Sequence, residues 1–195
     1  MPSSRLVDDD ASLTTRRIRY AVAVSLDGFI AGPNGEADWI LIDPELDFEE
    51  FNSSFDTILM GRRTYEAMKA ARGGGSAPGM KVFVVTCTLR QEDHPDVTID
   101  DDPVRLVGEL RSQPGKDVWL FGGGSLFRSL AQRGLVDTVE VGVIPVLLGD
   151  GVPLLPPPST RITLALTGHR VYARTGTVML EYVVQDGRRK KPRRT

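Results

Sequence analysis

Twice in this chain a short apolar run meets glycine and gives way at once to a helical pattern. Ile58-Leu59-Met60 ends at Gly61 and a helix starts at Arg62. Val118-Trp119-Leu120-Phe121 ends at Gly122-Gly123-Gly124, and the helix that follows lines Leu126, Phe127, Leu130 and Ala131 along one face before stopping at Gly134. A strand that passes through a helix to the next strand makes a crossover, and crossovers build parallel sheets with helices on both faces. The remaining segments obey the same scheme. Ile18, Tyr20, Val22, Val24 and Leu26 alternate with smaller residues, the period of a strand, and Lys81 to Cys87 reads as a fully buried one. Pro103 to Gln113 reads as a helix with proline in its first turn, and Val136 to Ile144 as another strand. Phe48, Phe51 and Phe55 recur at helical spacing within 47–55. A hairpin of 161–172 and 177–185 around Arg174-Thr175-Gly176 adds antiparallel pairing at one edge. The expected fold class is therefore α/β, a mixed, mostly parallel central sheet flanked by helices.

The 195 residues suit one domain, expected over 17–186, between a flexible N-terminal extension (1–16) and a basic, disordered tail (187–195). The formal charge of −2 conceals a division, since Arg188, Arg189, Lys190, Lys191, Arg193 and Arg194 crowd the tail and the remainder carries −8. A net-negative body argues against a nucleic-acid groove. The one cysteine, Cys87, forms no internal disulfide and no cysteine-built metal site, which suits a reducing compartment, the cytoplasm. No apolar run approaches the roughly 20 residues of a membrane helix, so no membrane partner is expected. His94 and His169 lack ligand-spaced or triad partners, and no metal is expected.

The chemistry-bearing residues fall at strand ends, where α/β sheets bind ligands. Gly122-Gly123-Gly124 reads either as a tight strand-to-helix turn or as a phosphate cradle at a helix start. The usual dinucleotide fingerprint fails here, because Phe127 stands where its third glycine belongs. Gly61-Arg62-Arg63-Thr64 places two guanidiniums and a hydroxyl at another helix start. Two arginines suit a phosphate better than a diol, so a bound dinucleotide is expected to be NADPH rather than NADH. Thr86 ends the strand between and offers a hydroxyl to a ribose or phosphate. Asp27, after the first strand, reads as a catalytic carboxylate near a nicotinamide ring or as a plain turn residue. Trp39, Phe48 and Phe51 read as core or as pocket wall. Gly73-Gly74-Gly75, with no strand before it, reads as a loop.

Three blocks, Tyr20–Ala31, Ile58–Glu66 and Val118–Leu126, resemble the dihydrofolate reductase superfamily, and especially the branch similar to the C-terminal reductase domain of bifunctional riboflavin-biosynthesis deaminase/reductases. The likeness spans about residues 17–185. It implies a dihydrofolate reductase-like sheet, NADPH as hydride donor and a homodimer. It also implies that Ala23 meets the nicotinamide carboxamide and that Gly61 to Thr64 with Thr86 take the adenosine phosphates and ribose. Gly122 to Leu126, Ser125 included and led in by Phe121, would take the pyrophosphate. Counting back from Met60 without a gap, the pterin-binding carboxylate falls near Glu45, while Glu49 stands where the pocket aromatic belongs. The arginine that follows a Pro-Gly pair in folate reductases is replaced by Met80 after Pro78-Gly79. A small heterocycle of pyrimidine or riboflavin-pathway type is therefore expected as substrate, ahead of dihydrofolate. The alternative is a non-catalytic NADP(H)-binding sensor or partner-binding protein.

Overall fold

The computed structural model describes residues 15–72 and 77–185. The glycine run 73–75, the basic tail and nearly all of the 1–16 extension lie outside the described residues. Among the described residues, ten strands and four α-helices follow in the order β1 (Ile18–Ser25), β2 (Phe29–Ala31), α1 (Phe48–Ser53), β3 (Phe55–Gly61), α2 (Arg62–Arg72), β4 (Lys81–Val85), β5 (Thr98–Asp100), α3 (Pro103–Ser112), β6 (Asp117–Gly122), α4 (Gly124–Ala131), β7 (Thr138–Ile144), β8 (Val152–Pro153), β9 (Thr163–Tyr172) and β10 (Thr177–Gln185). Eight strands form one sheet in the order β5-β4-β3-β6-β1-β7-β10-β9. The first six run parallel, and β10 and β9 are antiparallel at one edge. β2 and β8 form a separate antiparallel pair.

The sheet is buried on two faces by different helices. Ile18, Tyr20, Val24, Leu59, Val118 and Leu120 pack against Leu106, Val107 and Leu110 of α3 and Leu126, Phe127 and Leu130 of α4. Within that layer the Tyr20 ring stacks on Phe127 at 3.9 Å. On the other face Ile58, Met60, Val82 and Val84 pack on Tyr65 and Met68 of α2. His94 bonds through Nδ1 to the Tyr65 hydroxyl at 2.9 Å. Among the described residues no helix is long and apolar enough to cross a membrane.

Local signals set most boundaries. Asp102 caps α3 by accepting from the N–H groups of Val104 and Arg105, with Pro103 opening the helix, and Asp47 caps α1 by accepting from that of Glu50. Two expectations are corrected. The helix at 47–55 is only six residues long, because Phe55 already belongs to β3, where its ring is buried. The strand expected through Cys87 stops at Val85, and β5, three residues paired in parallel with β4, was too short to carry an alternation of its own.

Candidate active site

Because β4, β3, β6 and β1 are parallel neighbours, their carboxyl ends share one edge of the sheet. Thr86 follows β4, Gly61 ends β3, Gly122 ends β6, and Ser25 ends β1. The starts of α2 and α4 therefore lie side by side. A β-carbon built on Gly61 would be 3.9 Å from the Gly123 nitrogen, and one built on Gly123 would be 3.3 Å from the Thr64 hydroxyl.

The three consecutive glycines answer different needs. Gly122 sits at φ +147°, a conformation that side chains resist, and the Gly122–Gly123 peptide is cis. Gly123 is the N-cap of α4 and offers no side-chain cap; its carbonyl accepts from the Leu126 and Phe127 N–H groups, and those of Gly124 and Ser125 at the helix start have no capping side chain. Gly124 is a packing requirement, because a β-carbon there would lie 2.5 Å from the Pro153 carbonyl oxygen and 2.9 Å from Pro156. Of the neighbouring residues, Ser125 is exposed, Leu126 points into the core, and Phe121 packs edge-on to Trp119 at 4.9 Å.

The cations at α2 are not equivalent. Arg62 donates to both carboxylate oxygens of Glu66, at 2.9 and 3.1 Å, whereas Arg63 is exposed. The Thr86 hydroxyl lies 3.1 Å from that of Thr88 and accepts from the Thr88 N–H, while the Thr86 N–H donates to the Asp100 carbonyl at 2.8 Å.

Next to this rim, on the face of β1 that carries Ala21 and Ala23, lies an open cavity of about 140 Å³. Its floor comes from Ala21, Ala23, Trp119, Glu140 and Gly142, and Phe48, Phe51, Leu46 and residues 40–43 wall it on one side. The terminal hairpin closes another side with Tyr172, Thr177 and Met179. Trp119 is fixed by an Nε1–H bond to the Ala21 carbonyl (2.9 Å) and meets the Phe51 ring edge-on at 5.0 Å. Glu140, in the floor, is ion-paired. It accepts two bonds from Arg19, both 2.7 Å, and one from the Thr138 hydroxyl, and the Arg19 guanidinium lies over Phe55.

Of the residues expected to hold a substrate, Phe48 and Phe51 line the cavity and two others do not. Trp39 instead donates its indole N–H to the Glu36 carbonyl in the 34–39 loop. Glu45 is exposed and contributes its backbone N–H to Asp43, and it is Asp43, two residues earlier, that lines the cavity. Asp43-Pro44-Glu45-Leu46 makes a turn closed by the Leu46 N–H on the Asp43 carbonyl. Asp27 also lies outside the lining. Its carboxylate accepts from the Ser25 hydroxyl (2.6 Å) and from the Gly149 and Leu148 N–H groups (2.7 and 3.0 Å). The Ser25 and Gly149 bonds hold its pKa below the ordinary aspartate value, so it is an anion that fastens the 145–151 connection to the end of β1. Sequence reasoning missed Trp119, Glu140, Gly142, Thr177 and Met179. The strand alternation that put Ala21 and Ala23 on one face was the available signal for the first, and the hairpin register for the last two.

Comparison with known proteins agrees with the fold. The family model of the RibD C-terminal domain matches residues 16–178. The uncharacterized protein YyaP of Bacillus subtilis (strain 168) is 35% identical over 182 residues, covering 88% of this chain and 96% of its own. A putative riboflavin biosynthesis protein from Shewanella sp. PV-4 superposes with a TM-score of 0.74 at 22% identity, over 87% of this chain and 99% of its own. Dihydrofolate reductase from Enterococcus faecalis, solved with NADP(H) bound, superposes with a TM-score of 0.66 at 17% identity, over 87% and 97%. The fold is thus dihydrofolate reductase-like.

Proposed function

The chain belongs to the RibD C-terminal domain family, and from that premise we propose that it is an NADPH-dependent reductase acting on a small heterocycle. One observation carries the reading: the uncapped start of α4 lies beside the start of α2, on the same sheet edge as the Ala23 end of β1 and its cavity. The residues fit a dinucleotide. Gly61 to Thr64 and Thr86 would hold its adenosine phosphates and ribose, the backbone from Phe121 through Gly122, Gly123, Gly124 and Ser125 to Leu126 its pyrophosphate, and Ala23 its carboxamide. NADPH supplies the hydride, and this chain's part is to orient two rings and exclude water between them. Asp27 holds the loop above the site in this reading.

The substrate ring occupies the cavity between Phe48, Phe51 and Trp119. A pyrimidine or riboflavin-pathway intermediate is favoured over dihydrofolate, because Met80 stands where a folate reductase places its carboxylate-clamping arginine. A homodimer is supported by β9, an edge strand whose Leu164, Leu166 and Val171 are exposed. The single cysteine, exposed and unpaired, supports a cytoplasmic setting.

The test is NADPH oxidation followed by absorbance, with an aminopyrimidine intermediate of riboflavin synthesis and with dihydrofolate as separate substrates. Turnover of the aminopyrimidine is expected to exceed that of dihydrofolate. Tight NADPH binding without oxidation by either compound would favour the sensor alternative.

A further inference from the structure

We propose that Asp43 is a positioning residue, a latch that fastens the cavity wall at 40–46 to the turn of the terminal hairpin. The wall has no helix or strand of its own, and its Leu41 and Ile42 line the cavity while remaining 62% exposed. Apolar side chains so placed gain partners from whatever ring enters, provided that the backbone carrying them is held in place. Asp43 holds it. The residue is only 3% exposed, and its two oxygens divide the work. Oδ1 accepts from the Glu45 N–H at 2.9 Å and shapes the wall's own turn. Oδ2 reaches across the chain to accept from the Thr175 N–H (3.1 Å) and the Thr175 hydroxyl (2.9 Å), which lie 132 residues away.

The bond chain continues into the cavity. The carboxylate can only accept, so the Thr175 hydroxyl proton goes to Asp43, and the Thr177 hydroxyl, 2.9 Å from that of Thr175, donates to it. Thr177 itself lines the cavity. Wall, latch and hairpin thus form one hydrogen-bonded frame around the opening, and Asp43 sets the wall's distance from the ring that is reduced. The inference rests on the reductase reading for what enters the cavity, but not for the latch itself.

The test needs no ligand. Asp43→Asn keeps one oxygen for the Glu45 N–H but replaces the other acceptor with an NH₂ group, which cannot accept from Thr175. Thr175→Val removes the hydroxyl from the opposite side, and Thr175→Ser restores it. Amide hydrogen exchange in 40–46 and 173–177 is expected to quicken together, at least about tenfold, in Asp43→Asn and Thr175→Val, and to return towards wild type in Thr175→Ser. In a Trp39→Phe background, Trp119 is the remaining tryptophan. Its quenching by acrylamide should rise in the first two variants and not in the third. Uniform acceleration across the sheet, unchanged exchange in 40–46, or a serine variant no better than the valine one would overturn the latch. NADPH oxidation plays no part in these readouts, so a protein that fails as a reductase can still pass them.

Discussion

Thr64 and Gly123 meet where two helices begin: a β-carbon on the glycine would stand 3.3 Å from the threonine hydroxyl. Residues 59 positions apart in the chain are brought together because β3 and β6 are parallel neighbours, each ending in glycine just before its helix. The sheet edge thereby holds two helix starts side by side, and the glycines keep the ground between them bare.

Substituting the glycines should separate their roles. Gly124→Ala drives a methyl group into the Pro153 carbonyl and should cost about 1–3 kcal/mol by urea denaturation. Gly122→Ala places a side chain at φ +147° and should cost at least about 1 kcal/mol. Gly123→Ala, at an ordinary φ of −92°, should be the mildest for stability while lowering NADPH affinity, because its methyl group would stand 3.3 Å from the Thr64 hydroxyl, between the two helix starts.

Glu66 competes for Arg62. Both Glu66 oxygens accept from the same guanidinium nitrogen along the exposed face of α2. Freeing that guanidinium with Glu66→Gln should tighten NADPH binding by about twofold, the size of an exposed pair at this spacing, and leave NADH binding unchanged. Fluorescence titration of the two cofactors checks this.

Acid should loosen the frame around the cavity. The Asp27 carboxyl is held below its ordinary value of 3.8 by the Ser25 hydroxyl and the Gly149 N–H, and that of Asp43 by the Glu45 N–H and then Thr175. The folded state thus binds each proton less tightly than the unfolded chain does. Their contribution is complete above the ordinary value and is lost as pH falls through the lowered folded values. Urea midpoints should therefore drop as pH falls below the ordinary carboxyl value of 3.8, and the drop should be shallower in Asp27→Asn.

The strand–glycine–helix turns were legible because each is written in a dozen consecutive residues, and the sheet's parallel character follows from their order. The cavity was not, because it is assembled across the whole chain. Trp119 reads as one more apolar residue of a buried strand, and only the alternation of β6 beside β1 turns its indole towards Ala21. Asp43 carries no local signal of its role, because its partner Thr175 lies 132 residues on. Asp27 was placed correctly at the end of the first strand, but its three donors come partly from residues 148 and 149, which no local pattern reveals.

The most direct measurement is a titration of the protein with NADPH and NADH, in the wild type and in Arg62→Ala/Arg63→Ala. The account predicts that NADPH binds about tenfold or more tightly than NADH, as two charge-assisted contacts to a ribose phosphate imply, and that the double variant loses most of that preference. Equal affinities in the wild type would contradict it.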